Sequence, residues 1–298
     1  MKILNFGSLN LDYVYSVDHF VKPGETLITD SYQVLPGGKG LNQSVSIARA
    51  GVSVYHAGKV GKGSDMLLDV LTKSGVNTEL VQKTDQVTGH TIIQVDRTGQ
   101  NCILECCGEN GNIDIHFIDE VISQFHKGDI LLIQNEINNL PYIMQRAYQS
   151  GLRIALNPSP VNRQILECPL EYVTWFILNE IEGKGLTEKE SPEDITDTLL
   201  RRYPNSAVVL TLGKKGVYYK DKNQIMTHGI YKVNRVDTTG AGDTFTGYFI
   251  SGVVENLKIE EILRRASVAS SLAVSRQGAA NSIPYLTEVL GSSLVLES

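Results

Sequence analysis

Short apolar runs alternate with longer stretches of helical spacing through most of the chain. Ile3–Phe6, Ile130–Gln134, Ile154–Leu156, Trp175–Leu178 and Val208–Leu212 are brief, apolar and bounded by turn residues, the pattern of strands buried on both faces. Between them, Asn42–Ala50, Met66–Ser74, Ile143–Ser150 and Glu193–Tyr203 carry helix-compatible spacing, and Ile259–Ser275 reads as a helix broken by Gly278-Ala279-Ala280. This alternation predicts a mostly parallel sheet covered by helices. Two regions depart from it. Leu11–Val34 and Thr88–Cys106 show period-2 patches such as Thr91-Ile92-Ile93-Gln94-Val95, with a turn at Asp96-Arg97-Thr98-Gly99, and predict antiparallel strands in a small separate sheet that acts as a lid. Past Pro284 the pattern supports no assignment.

Two glycine clusters open apolar helical patterns. The later one, Val236-Asp237-Thr238-Thr239-Gly240-Ala241-Gly242-Asp243-Thr244-Phe245, runs into Phe245, Tyr248, Phe249 and Val253. Such a helix start leaves backbone N–H groups unpaired at the positive end of the helix dipole, a site for an anion and above all a phosphate. Asp243 would lie beside that phosphate, either as a base for an incoming hydroxyl or as a complement to the dipole of its own helix. The same dipole is expected to keep Asp243 ionised at neutral pH. The earlier cluster is Pro36-Gly37-Gly38-Lys39-Gly40-Leu41-Asn42-Gln43, with Leu41, Val45 and Ala48 on one helical face. With Asn10 and Asp12 just after the first strand, it offers carboxylate and amide groups matched to sugar hydroxyls.

Composition narrows the classes. The 298 residues allow one large α/β domain or two smaller ones, and 42 % hydrophobic residues allow a substantial core. A net charge of −6 speaks against a broad nucleic-acid surface. No window approaches the roughly 20 apolar residues of a membrane span, and the N-terminus lacks the pattern of a signal peptide, so a soluble cytoplasmic protein is expected. The four cysteines form no C-x-x-C pair and the six histidines no H-E-x-x-H, so zinc is not expected. Neither a P-loop nor a dinucleotide fingerprint occurs, which leaves phosphate binding to Gly240–Asp243.

With these motifs in hand, the chain resembles the ribokinase (PfkB) family of carbohydrate kinases almost end to end. The two glycine clusters correspond to the family's two signatures. Gln134-Asn135-Glu136, Asn157-Pro158-Ser159-Pro160, Asn179-Glu180-Ile181-Glu182 and Thr211-Leu212-Gly213-Lys214-Lys215-Gly216 match between them in the same order. The resemblance implies a three-layer α/β/α sandwich with a small β-sheet lid, a single kinase domain over 1–298 whose lid strands come from about 11–37 and 88–106. It implies transfer of the γ-phosphoryl of ATP to a primary hydroxyl of a small sugar. Asn10, Asp12, Gly38, Lys39, Asn42 and Glu136 would hold the sugar, and Asp243 would be the base. Ala241 and Gly242, with Gly240, would form the anion hole. Asn179 and Thr211, Leu212, Gly213, Lys214, Lys215 and Gly216 would contact the nucleotide. Glu182 would help place Mg²⁺ through water, and Asp237, Thr239, Ala273, Arg276, Gly278 and Ser282 would form a K⁺ loop. Edge strands of the lid suggest a homodimer. Leu41 stands where a smaller residue is usual, Gly61-Lys62-Gly63-Ser64-Asp65 lacks a common acidic pair, and His90 occupies a typically apolar lid position. These departures leave the kinase chemistry intact; the expected substrate is ribose, with a fructokinase-like or nucleoside kinase of the same family as the alternative, and beside them a non-catalytic sugar-binding or nucleotide-binding protein.

Overall fold

The computed structural model describes residues 1–297. The strands are β1 (Ile3–Phe6), β2 (Asn10–Ser16), β3 (Ser31–Gly37), β4 (Val54–Lys62), β5 (Asn77–Val87), β6 (Gly89–Val95), β7 (Asn101–Cys106), β8 (Ile130–Gln134), β9 (Arg153–Asn157), β10 (Val173–Asn179), β11 (Ala207–Thr211), β12 (Val217–Lys220) and β13 (Ile225–His228). The helices are α1 (Lys39–Arg49), α2 (Asp65–Lys73), α3 (Ile115–Ile122), α4 (Leu140–Gln149), α5 (Arg163–Leu166), α6 (Glu180–Thr187), α7 (Pro192–Arg202), α8 (Ala241–Val254), α9 (Ile259–Val274) and α10 (Leu286–Leu290).

Nine strands form the main sheet in the order β13-β12-β11-β10-β9-β8-β1-β4-β5. The seven from β11 to β5 run parallel, and β12 and β13 add an antiparallel hairpin at one edge. Helices cover both faces, which is why β1 and β8 are apolar without alternation. Ile3, Ile130 and Leu132 belong to the core under α1, α8 and α9, while Leu4, Phe6, Leu131 and Ile133 belong to the core under α3, α4 and α7. The expected α/β/α layering is present.

The smaller sheet has the order β3-β2-β6-β7. It differs in one respect from the antiparallel arrangement expected. β2 pairs with β6 in parallel, and only the outer pairs β2–β3 and β6–β7 are antiparallel. The reason is connectivity: β6 is entered from β5 of the main sheet through Thr88 alone, so β2 and β6 leave that sheet in the same direction. The sequence pattern does not predict β4, β5 or the β12–β13 hairpin, nor α10 in the segment after Pro284. His56, Gly58 and Lys59 break the apolar run of β4 although all three are buried.

What positions the site is the close contact of α1 and α8. A Cβ on Gly247 would lie 2.3 Å from Ser46 Cβ and 2.9 Å from the Ile47 nitrogen, so only glycine allows this approach. Ser46 Oγ then donates to the Thr244 carbonyl at 2.8 Å. Adding a methyl group here should force the helices apart. Gly247→Ala is expected to lose about 1–3 kcal/mol of stability, read as a lowered Tm in thermal unfolding; an unchanged Tm would show that this contact does not hold the pair together.

Candidate active site

The N-termini of α1 and α8 meet over the ends of the parallel strands, and each starts at a glycine in the left-handed region, Gly38 with φ 93° and Gly240 with φ 73°. At α8, the Ala241 N–H donates to the Thr238 carbonyl at 3.3 Å and the Thr244 N–H to the Gly240 carbonyl at 2.8 Å. Among the described residues the N–H groups of Gly242 and Asp243 have no partner. The N–H groups left unengaged at this helix start are those of Gly242 and Asp243, while that of Ala241 reaches the Thr238 carbonyl. A Cβ on Gly242 would meet nothing within 4 Å, so the approach to these donors is open.

Asp243 is held by consecutive residues of α1. Asn42 Nδ2 donates to its Oδ2 at 3.0 Å and Gln43 Nε2 to its Oδ1 at 2.9 Å. Burial pushes the Asp243 carboxyl up to about 6, against the Lys39 ammonium and the two amides, which favour the anion. The helix dipole therefore does not fix its state alone, although a group near 6 is still mainly ionised at pH 7.

Behind Asp243 lies a line of buried amides. Gln43 also donates to Asn157 Oδ1 at 3.0 Å, and Gln134 Nε2 bridges Gln43 Oε1 at 2.7 Å and Asn5 Oδ1 at 2.9 Å. Asn5 Nδ2 donates to Ser44 Oγ at 2.8 Å, and Ser44 meets His56 Nδ1 at 2.8 Å. Burial depresses His56 to about 4, so it is neutral. Gln43, Gln134 and Asn157 stand inside the motifs quoted above, yet neither pattern nor spacing gave them a role. Asn5, Ser44 and His56 had no sequence signal beyond being polar within apolar elements.

The expected sugar residues gather at the N-terminus of α1. Glu136 accepts from the Lys39 N–H at 2.9 Å and from Ser8 Oγ at 2.5 Å, and pairs with Lys39 Nζ at 3.1 Å. Burial opposes the Lys39 charge, but Glu136 and Asp243 hold its ammonium above the ordinary value. Asp12 on β2 accepts from Thr91 Oγ1 of β6 at 2.6 Å, and burial pushes its carboxyl up to about 6. Asn10 Oδ1 is taken by Asn110 Nδ2 at 2.6 Å. Asn42 Oδ1 is buried without a partner among the described residues.

Two cavities adjoin at Asn179, Thr211 and Gly242, and Asp243 lines the smaller of them. The smaller, about 200 Å³, runs between Lys39, Asn157, Asn179, Glu182 and Gly242. Asn179 caps α6 by accepting the Glu182 N–H at 2.9 Å, and the Glu182 carboxylate receives the Asn179 N–H and amide in return. The larger, about 340 Å³, is walled by Thr211, Gly213, Lys214, Gly216, Tyr231 and Phe245 among others. Leu212 and Lys215, expected beside them, do not line it: Leu212 packs against the core and Lys215 is exposed. Below α8, Asp237 Oδ1 receives the Thr239 N–H and hydroxyl, and its Oδ2 the Gly278 N–H at 2.9 Å. Burial would raise the Asp237 carboxyl, but these donors hold it below its usual range. They join the 237–239 turn to the segment holding Ala273, Arg276, Gly278 and Ser282. The Arg276 guanidinium turns away to Glu288, leaving only its backbone for that loop.

The pfkB family carbohydrate kinase model matches residues 1–286. The chain is 33 % identical over 294 residues to the ribokinase of Haemophilus influenzae, covering 95 % of both chains. It is 34 % identical over 290 residues to that of Bacillus subtilis, covering 95 % of this chain and 96 % of the relative. The structure of Arabidopsis thaliana ribokinase complexed with ribose and ATP superposes with a TM-score of 0.86 at 27 % identity, over 97 % of each chain. The chain is a member of the pfkB family of carbohydrate kinases.

Proposed function

We propose that this ATP-dependent sugar kinase acts on ribose, transferring the γ-phosphoryl group to the primary hydroxyl. The observation that carries the chemistry is the pairing of a carboxylate, Asp243, with two unengaged N–H groups at the same helix start. The sugar hydroxyl gives its proton to Asp243 while its oxygen bonds to the γ-phosphorus. The bond from phosphorus to the bridging oxygen breaks, and ADP leaves with that electron pair. The phosphoryl oxygens carry the charge of a loose transition state, and the Gly242 and Asp243 N–H groups, with the Lys39 ammonium, face it with fixed positive ends.

Asn10, Asp12, Gly38, Lys39, Asn42 and Glu136 hold the sugar in this reading; the unpartnered Asn42 Oδ1 supplies an acceptor for a hydroxyl. The nucleotide occupies the larger cavity beside Thr211, Gly213, Lys214 and Gly216, with Asn179 at its junction with the smaller one. Glu182 lines the smaller cavity, and its carboxylate is a hard oxygen donor of the kind that suits water-ligated Mg²⁺, which would neutralise phosphate charge when bound. Asp237, Thr239, Ala273, Arg276, Gly278 and Ser282 offer only oxygen donors toward a cation, which fits K⁺. The small sheet closes over the sugar as a lid, pivoting near Gly37-Gly38, and excludes water. Ile103 and Leu104 on its outer strand are 51 % and 64 % exposed, an apolar edge suited to a second copy of the chain. No described helix is long and apolar enough to cross a membrane, and four free cysteines fit the cytoplasm.

ADP release across a panel of pentoses, hexoses and nucleosides tests the reading, with ribose expected to show the highest kcat/KM; a better hexose or nucleoside overturns that assignment. Asp243→Asn should lower kcat by about 10²–10⁴-fold with smaller changes in KM, and near-normal turnover would remove Asp243 as the base. Because Asp243 and Asp12 both act as anions and both titrate near 6, kcat/KM should be level above neutrality and fall as pH drops through about 6; a flat profile down to pH 5 contradicts this. Exchanging K⁺ for Na⁺ should slow turnover, and equal rates in the two salts would dismiss the cation loop. Light scattering should return the mass of a dimer; a monomer's mass at working concentration ends that proposal.

A further inference from the structure

Strand register places one more carboxylate over the sugar pocket. Asp12 of β2 lies opposite Thr91 of β6, and Thr91 lies opposite Glu105 of β7. Residues directly opposite across a ladder share a face of the sheet. The Asp12 carboxylate lies against Gly37, just ahead of α1, and is coupled to Glu136 and Lys39, so this common face is the one turned toward the N-terminus of α1. Glu105 therefore sits two strands out from Asp12 on the same rung of the lid. Glu105 is exposed, like the rest of β7, and its carboxyl is raised by partial desolvation and by Glu136 and lowered by Lys39; Asp12 is raised first by burial, then by Glu136 and Glu105. These couplings fit a side chain that leans over the pocket rather than away from it.

No hydrogen bond or ion pair of the described residues takes up Glu105, in contrast to its neighbours. Thr91 serves Asp12, and Lys39 serves Glu136. The charged groups around the pocket are then Asp12 on β2, Glu105 on β7, Glu136 after β8, Glu182 on α6 and Asp243 on α8, with Lys39 on α1 as the cation among them. An ionised carboxylate only accepts hydrogen bonds. A pocket with this surplus of acceptors asks its occupant for donors.

We propose that Glu105 is a specificity-determining residue, accepting a hydrogen bond from a sugar hydroxyl that faces the lid, remote from the phosphorylated carbon. This rests on the sugar-kinase reading above and adds to it the class of sugar: one fully hydroxylated on the lid side, in preference to its deoxy counterpart. The closing motion delivers the acceptor, so the contact forms as water leaves, and a hydrogen bond to a charged group in such surroundings discriminates strongly.

The experiment measures kcat and KM for ribose and its 1-deoxy, 2-deoxy and 3-deoxy analogues with the full-length enzyme, Glu105→Leu and Glu105→Gln. For ribose, Glu105→Leu should raise KM about 10–100-fold, with a much smaller effect on kcat and none on the KM for ATP, which also reports an intact fold. For one deoxy analogue the mutation should cost little, because the hydroxyl that Glu105 holds is already missing. Glu105→Gln, which keeps an acceptor oxygen, should recover part of the ribose affinity. Equal penalties for ribose and all three analogues, or no change in the ribose KM, overturn the assignment. If wild-type enzyme phosphorylates none of these sugars, the ribose reading itself fails, and Glu105 loses its role with it.

Discussion

Two side-chain amides from successive residues of α1, Asn42 and Gln43, each hold one oxygen of Asp243 on α8. Everything chemical in this protein depends on that junction. It fixes the carboxylate beside the unengaged N–H groups of its own helix start, and in the proposed reaction it ties the sugar side of the pocket to the phosphate side. The junction exists because the two helices can touch at Gly247 and Ser46, and because Gly240 admits the left-handed turn that starts α8. A single hydrogen bond of this kind is worth only about 0.5–3 kcal/mol, so its value is geometric: a base displaced by an ångström loses much of its advantage.

The polar floor beneath Asp243 has an energetic cost that explains why most of its groups are paired. Asn5, Gln43, Ser44, His56 and Gln134 are all fully buried within layers that are otherwise apolar. Unpaired amides there would be expensive, and the line from His56 through Ser44, Asn5 and Gln134 to Gln43 satisfies most of them in one chain of bonds. His56 stays neutral, so the chain ends on an uncharged group and Lys39 remains the cation nearest the carboxylate. This arrangement supports Asp243 from the rigid sheet rather than from the loops.

Much of the architecture was legible because physics writes it in a simple code. Buried parallel strands such as β1 and β8 must be apolar throughout, and α8 and α1 announce themselves by glycines ahead of helical periodicity. The helix start proposed to hold the phosphoryl group was legible for the same reason, but not its hydrogen bonding: only the backbone shows that Ala241 donates to Thr238, leaving Gly242 and Asp243 unpaired. The β4 strand was hidden by His56 and Lys59, polar residues that burial accommodates through partners distant in sequence. The parallel pairing of β2 with β6 follows from how the small sheet leaves the large one, which no local pattern encodes. Glu105 was equally silent, since its place over the pocket comes from its register opposite Thr91.

The most direct measurement is a crystal structure of the enzyme with ribose and a non-hydrolysable ATP analogue. The account predicts the terminal phosphate within hydrogen-bonding distance of the Gly242 and Asp243 N–H groups, with the primary hydroxyl of ribose between Asp243 and the γ-phosphorus. A terminal phosphate bound away from that helix start, or a hydroxyl beyond the reach of Asp243, would contradict it.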